Sequence, residues 1–173
     1  MIITAGKYKG QKITAPDENI TRPTLSKVRM GIFNTLQSMI NFEGKSFLDM
    51  YAGSGIIGLE ALSRGFKNVC CIEKNPKAVN IIKSNYKKFA AAPHLLIGDS
   101  IKIADRLQEK FDVIYIDPPY FSGINEKSLN AVQKIAGNIV ILEHVTEADY
   151  SDYKILKEKK YGQTIITFLN RDT

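Results

Sequence analysis

The chain has 173 residues, of which 44% are hydrophobic and 24% charged, with a formal net charge of +6. That length fits one domain with a sizeable core, and no apolar run approaches the roughly 18 residues of a membrane span. The Lys-bearing N-terminus lacks the apolar stretch of a secretory signal, and the 2 adjacent cysteines and 2 scattered histidines offer no metal-ligand spacing.

The leading segment is basic. Residues 1–30 hold Lys7, Lys9, Lys12, Arg22, Lys27 and Arg29 against Asp17 and Glu18. This concentration of charge, with Tyr8 between Lys7 and Lys9, predicts contact with a polyanion. Met1–Ala5 and Gln11–Ala15 are expected to pair as a short β-hairpin around Gly6 and Gly10. Residues 1–22 are assigned to a basic extension and 23–173 to the main domain. Thr24 is placed to cap a helix from about Leu25 to Met39, whose Val28, Ile32, Leu36 and Met39 form one apolar stripe.

Beyond that helix, strands near 46–51, 69–73, 94–97, 112–117 and 138–142 alternate with helices near 55–64, 76–89, 100–108 and 125–136. Such alternation predicts a doubly wound, mostly parallel α/β sheet. The segments Tyr153–Glu158 and Gln163–Leu169 have no helix between them and are expected to form an antiparallel hairpin through Lys160, Tyr161 and Gly162. Cys70 and Cys71 fall in a core strand and are expected to be reduced, as in a cytoplasmic protein.

Four of these strands end in residues that carry chemistry. Phe47–Asp49 leads into a turn where Gly53, Gly55 and Gly58 match G-x-G-x-x-G. A strand before the turn and an amphipathic segment after it give the motif its proper context. The next strand closes on Glu73, placed to hydrogen-bond ribose hydroxyls. Leu95–Ile97 runs into Gly98-Asp99, where the carboxylate can accept from an adenine amine.

The fourth strand, Val113–Ile116, ends in Asp117-Pro118-Pro119-Tyr120. The prolines make that turn rigid and remove two backbone donors. Asp117 and the Pro118 carbonyl can each accept from an –NH2 group, and the Tyr120 ring can stack on the flat ring carrying it. In open α/β sheets ligands sit beyond the carboxyl ends of strands. The glycine turn, Glu73, Asp99 and Asp117 are therefore expected to face one crevice.

These pieces resemble class I S-adenosylmethionine-dependent methyltransferases. More narrowly they resemble the RsmD type, which acts on a guanine-N2 amine of small-subunit ribosomal RNA. The resemblance rests on Gly6–Gly10, on Arg22-Pro23-Thr24 with Val28-Arg29, on Leu48–Gly65, on Glu73 and on Phe111–Tyr120. Ser26 and Met30 depart from acidic residues expected there, and Tyr120 replaces a usual Phe.

The resemblance implies seven strands with the last antiparallel and S-adenosylmethionine as cofactor. It places Asp49 and the loop Ala52, Gly53, Ser54 and Gly55 near the methionine part, Glu73 on the ribose and Asp99 on the adenine. Asp117, the one residue shared by both subsites, would stand between cofactor and target. Asp117, Pro118, Pro119 and Tyr120 would hold the target base, and Lys7, Tyr8, Lys9, Arg22 and Arg29 the RNA. The partner implied is ribosomal RNA or the small ribosomal subunit. No metal, no membrane and a monomer are expected.

Three other functions share parts of this pattern. An adenine-N6 methyltransferase would use the same Asp-Pro-Pro-Tyr turn. A nicotinamide-dependent oxidoreductase would use the same glycine turn, but the residues after Gly58 are consumed in completing one sheet. A nucleic-acid-binding module with a dead site would not need Asp117, Glu73 and the glycine loop together.

Overall fold

The computed structural model describes residues 1–16, 25–120 and 123–171. Arg22 and Thr24, and the boundary placed between 22 and 23, lie outside the described residues.

The chain enters through a turn that crosses back on itself. Ile2 and Lys12 form a single antiparallel bridge, supported by Ile3 N–H to Gln11 O at 3.0 Å and Ile13 N–H to Met1 O at 2.9 Å. The expected hairpin is thus reduced to one bridge, because Ile3 and Ile13 turn into the main core rather than extending a ladder. Helix α1 spans Ser26–Met39 and buries Val28, Ile32, Phe33 and Leu36. Its N-cap is Leu25, which offers no side-chain cap.

The alternating unit follows as β1 (Ser46–Asp49), α2 (Ile56–Ser63), β2 (Asn68–Glu73), α3 (Pro76–Lys87), β3 (His94–Ile97), α4 (Ser100–Arg106), β4 (Phe111–Ile116), α5 (Ile124–Val132) and β5 (Ala136–His144). Strands β6 (Tyr153–Tyr161) and β7 (Thr164–Arg171) close the chain as a hairpin. Its strands run longer than the sequence suggests, and the turn shrinks to Gly162-Gln163.

The seven strands run in the order β3-β2-β1-β4-β5-β7-β6. Strands β1 to β5 pair in parallel, and β7 enters antiparallel between β5 and β6. The order reverses between β1 and β4, so their C-terminal ends open the crevice where such sheets bind ligands.

Side chains alternate across the strands and build a core on each face. Phe47, Val113, Ile141 and Phe168 pack with α1, α2, α3 and the N-terminal residues Ile3 and Ile13. Leu48, Ile114, Val140 and Leu169 pack with α4 and α5. Cys70 and Cys71 are free and buried. Burial pushes the Cys70 thiol up to about 12 and Cys71 well above the ordinary thiol value, so both stay protonated.

Arg29 requires a correction. It was expected to contact RNA, but its side chain is 1% exposed. It donates to Ile2 O at 2.7 Å and Ser26 Oγ at 3.2 Å, and its Nε lies 3.6 Å from Glu60 Oε1. Glu60 also takes the Thr4 amide at 2.7 Å and Arg64 Nε at 3.2 Å. The guanidinium therefore ties α1, α2 and the N-terminal segment together. A charge removed from water this completely cannot meet phosphate without opening the core.

Candidate active site

The glycine turn is held from both sides. Met50 N–H donates to Tyr115 O and Ala52 N–H to Ile72 O, each at 3.0 Å, which carries the sheet pairing past the end of β1. Gly55 then sits at φ +77° as the N-cap of α2, a conformation that favours glycine. Gly58 answers a different need. A Cβ there would lie 2.2 Å from the Tyr86 hydroxyl, so this glycine lets α2 approach α3 and β2.

Glu73, at the end of β2, is buried and committed to the loop. Its Oε2 accepts from Gly53 N–H at 2.8 Å, and its Oε1 accepts from Lys74 and Asn75 N–H at 2.9 and 2.8 Å. Asn85, fully buried on α3, donates to Ser54 O at 3.1 Å and to Thr14 O at 2.9 Å. Ala52 and Ser54 are buried within the same turn.

Asp49 is different. It is 1% exposed, and neither carboxylate oxygen closes a hydrogen bond. Burial raises its pKa to about 7, with the nearby Glu73 charge adding to the rise. The backbone amides of Tyr51 and Gly58, which approach the carboxylate without closing a hydrogen bond, oppose part of it. A sealed carboxylate without a hydrogen-bond partner is costly unless a ligand supplies one.

A cavity of about 920 Å³ opens at these strand ends, within the roughly 300–1,000 Å³ of small-molecule sites. Asp49, Gly53, Glu73, Asp99 and Asp117 all line it, as does Tyr120. Asp99 caps α4 by accepting from Lys102 N–H at 3.0 Å. Asp117 is half-buried, Pro118 buried, Pro119 exposed and Tyr120 53% exposed at the mouth.

Several lining residues escape the sequence reading. The Tyr51 hydroxyl bonds Ser128 Oγ at 2.7 Å, and Ser128 in turn donates to Ile124 O at 2.7 Å. This links the glycine turn to the start of α5, just past the Asp117–Tyr120 turn. Glu143, next to last in β5, lies one step beyond the Ile116–Leu142 pair and therefore beside Asp117. It accepts a short hydrogen bond from the Tyr115 hydroxyl. The rule that ligand-facing residues stand at strand ends would have found it.

The structure does not bring Lys7, Tyr8 and Lys9 to this cavity. Lys7 and Tyr8 N–H bond Ser63 O and Oγ at 2.7 and 2.9 Å. Ser63 is the last residue of α2, whereas the cavity lies at its first turn. Eight residues of helix span about 12 Å. The Tyr8 ring packs on Phe89, with centroids 4.7 Å apart, so that face of the ring is covered.

Comparison with known proteins agrees with the geometry. A family model described as "Conserved hypothetical protein 95" matches residues 1–170. The Bacillus subtilis protein named "Putative rRNA methyltransferase YlbH" is 30% identical, covering 95% of each chain. "Ribosomal RNA small subunit methyltransferase D" of Buchnera aphidicola is 32% identical over 76% of this chain and 69% of that protein. The solved structure titled "Putative methyltransferase yhhF from Escherichia coli" superposes with a TM-score of 0.88 at 24% identity, covering 99% of this chain and 98% of that one.

Proposed function

Because this chain belongs to the Conserved hypothetical protein 95 (RsmD) family of methyltransferases, we propose that it transfers a methyl group from S-adenosylmethionine to the N2 amine of a guanine in small-subunit ribosomal RNA. The observation that carries this reading is the single cavity shared by the glycine turn and the Asp117–Tyr120 turn.

The residues of the inner wall fit the cofactor. The carboxylate of Asp49, buried without a hydrogen-bond partner, suits the ammonium of the methionine part. Glu73 spends one acceptor direction on each of three amides, and a carboxylate offers about four, so one remains for a ribose hydroxyl. Asp99, through the oxygen that does not cap α4, would take the adenine amine. When bound, the cofactor supplies a methyl made electrophilic by its sulfonium, so no acid is required of the protein.

The protein's work is then to aim the amine. A guanine N2 is a poor nucleophile because its lone pair is delocalised into the ring. Accepting hydrogen bonds from its two N–H groups at Asp117 and the Pro118 carbonyl turns the lone pair toward the methyl. Alignment of this kind can supply roughly 7–11 kcal/mol. The proton grows acidic only as the methyl arrives, so a weak acceptor at Asp117 is enough. Tyr120 stacks on the base, which must be unpaired or flipped out to enter.

Glu143 favours guanine over adenine. Guanine presents N1–H next to its N2 amine, whereas adenine presents a bare N1 acceptor next to its N6 amine. Adjacent carboxylates at Asp117 and Glu143 match two adjacent donors and would repel adenine N1. The cavity is built by one chain, so a monomer suffices, and ribosomal RNA as substrate places the work in the cytoplasm.

The test is label transfer from methyl-labelled S-adenosylmethionine to small-subunit RNA from cells lacking the protein, followed by mass spectrometry of the nucleosides. N2-methylguanosine is the expected product. N6-methyladenosine would overturn the role given to Glu143, and bound cofactor without transfer would overturn the function.

A further inference from the structure

One wall of the cavity is assembled from opposite ends of the chain. Leu25 and Lys27 come from the start of α1, and Lys160, Tyr161 and Gln163 from the turn between β6 and β7. The two segments meet closely at this junction. A Cβ on Gly31 would lie 1.8 Å from the Tyr161 hydroxyl, so the tyrosine rests directly on bare helix backbone. Lys27 stands four residues before Gly31, on the same helix face. Lys160 is the chain neighbour of Tyr161. The contact therefore brings the Lys27 and Lys160 segments together, and both residues line the cavity.

Positive charge continues from that wall along β6. Residues 154–160 contain Lys154, Lys157, Lys159 and Lys160 against Glu158 alone. β6 is the edge strand of the sheet. Pairing with β7 puts Lys157 and Lys159 on the same face as Tyr161, while Glu158 and Lys160 turn to the other face, with Glu158 3.4 Å from Thr167 Oγ1.

Lysines on an edge strand discourage edge-to-edge association. That role does not account for Lys27, which is on a helix, or for the company these groups keep. Leu25 and Tyr120, 68% and 53% exposed, line the same cavity. Exposed apolar and aromatic groups flanked by ammonium groups suit a single-stranded nucleic acid, whose bases stack while its phosphates pair.

Resting on the methyl-transfer reading, we propose that Lys27 and Lys160 at the rim, joined along the edge strand by Lys157 and Lys159 on its other face, form the surface that binds the RNA backbone on either side of the target base. The Lys7–Lys9 turn, at the other end of α2, is not part of it. Protein-free small-subunit RNA serves as the probe, with binding measured over a range of salt concentrations and cofactor binding measured by calorimetry.

The double variant Lys27→Ala, Lys160→Ala is expected to bind RNA about tenfold or more weakly. Its salt dependence should flatten by roughly 1.4, at about 0.7 per lost phosphate contact on a single strand. Cofactor affinity should not change, and Lys27→Arg with Lys160→Arg should restore RNA binding. Lys7→Ala with Lys9→Ala should behave as wild type. Unchanged RNA affinity and salt slope in the Lys27, Lys160 variant, with methyl transfer intact, would overturn this surface and leave the methyl-transfer reading standing. Wild-type protein that binds the cofactor but methylates no ribosomal RNA would overturn both.

Discussion

The two walls of the cavity differ in how deeply their polar groups are buried. On the β1–β2 side, Glu73 holds three backbone amides and Asp49 is sealed at 1% exposure. On the β4–β5 side, Asp117 is half-buried and Tyr120 is 53% exposed. The first wall is shaped before any ligand arrives, as a seat for a small diffusible molecule should be. The second faces outward, as the proposed delivery of a base on a large RNA requires.

The sharpest way to break this contrast is Asp117→Ala. Methyl transfer should fall by at least about 100-fold, the scale of losing one preorganised hydrogen bond at a reacting centre. Cofactor affinity should stay within about twofold, since the contacts proposed for Asp49, Glu73 and Asp99 persist. Single-turnover rates and calorimetry on the same preparation check it, and a matched loss of both quantities would merge the two walls into one.

Glu73→Ala tests the opposite side. Cofactor affinity should fall about 10- to 100-fold, because hydrogen bonds to a charged group are worth roughly 1.5–3 kcal/mol. The melting temperature should also drop, as three loop amides lose their acceptor. At saturating cofactor the transfer rate should recover most of its wild-type value. A rate that stays low would show that the loop also positions the base.

Asp49 gives the smallest effect and a pH signature. Its folded-state pKa of about 7 stands above the ordinary 3.8. Between those values the folded protein keeps a proton that the unfolded chain releases, so the group costs stability as pH rises from about 4, in full above about 7. Asp49→Asn should therefore raise the melting temperature of the ligand-free protein near pH 8 and change it little near pH 4. A bound ammonium favours the ionised form. Cofactor affinity should thus fall below pH 7, by up to about tenfold per pH unit, and this dependence should vanish in Asp49→Asn. A titration that is flat in the wild type would remove Asp49 from the cofactor seat.

Much of this was legible in the chain itself. The glycine turn and the Asp117–Tyr120 turn are short segments that follow apolar strands, so local spacing identifies them. Arg29 was misplaced for a physical reason: a basic residue in a basic segment looks solvent-facing until Glu60, from another helix, is brought against it. The N-terminal hairpin was overextended because Ile3 and Ile13 find partners in the core that their own segment does not reveal. Tyr51 and Ser128 join the glycine turn to α5 across 77 residues of chain, and no local pattern marks such a pair.

The sequence alone determined the alternation of strands and helices, and with it the parallel sheet whose strand ends carry Asp49, Glu73, Asp99 and Asp117. Periodicity and turn chemistry act over a few residues and can be read from them. Only the tertiary structure decided which cations face the cavity. Gly31 and Tyr161 meet from the two ends of the chain and bring Lys27 and Lys160 to the rim, while Ser63 holds Lys7 at the other end of α2. Charge is a property of a residue, but its field acts across space, and the distances that set it exist only once the chain has folded.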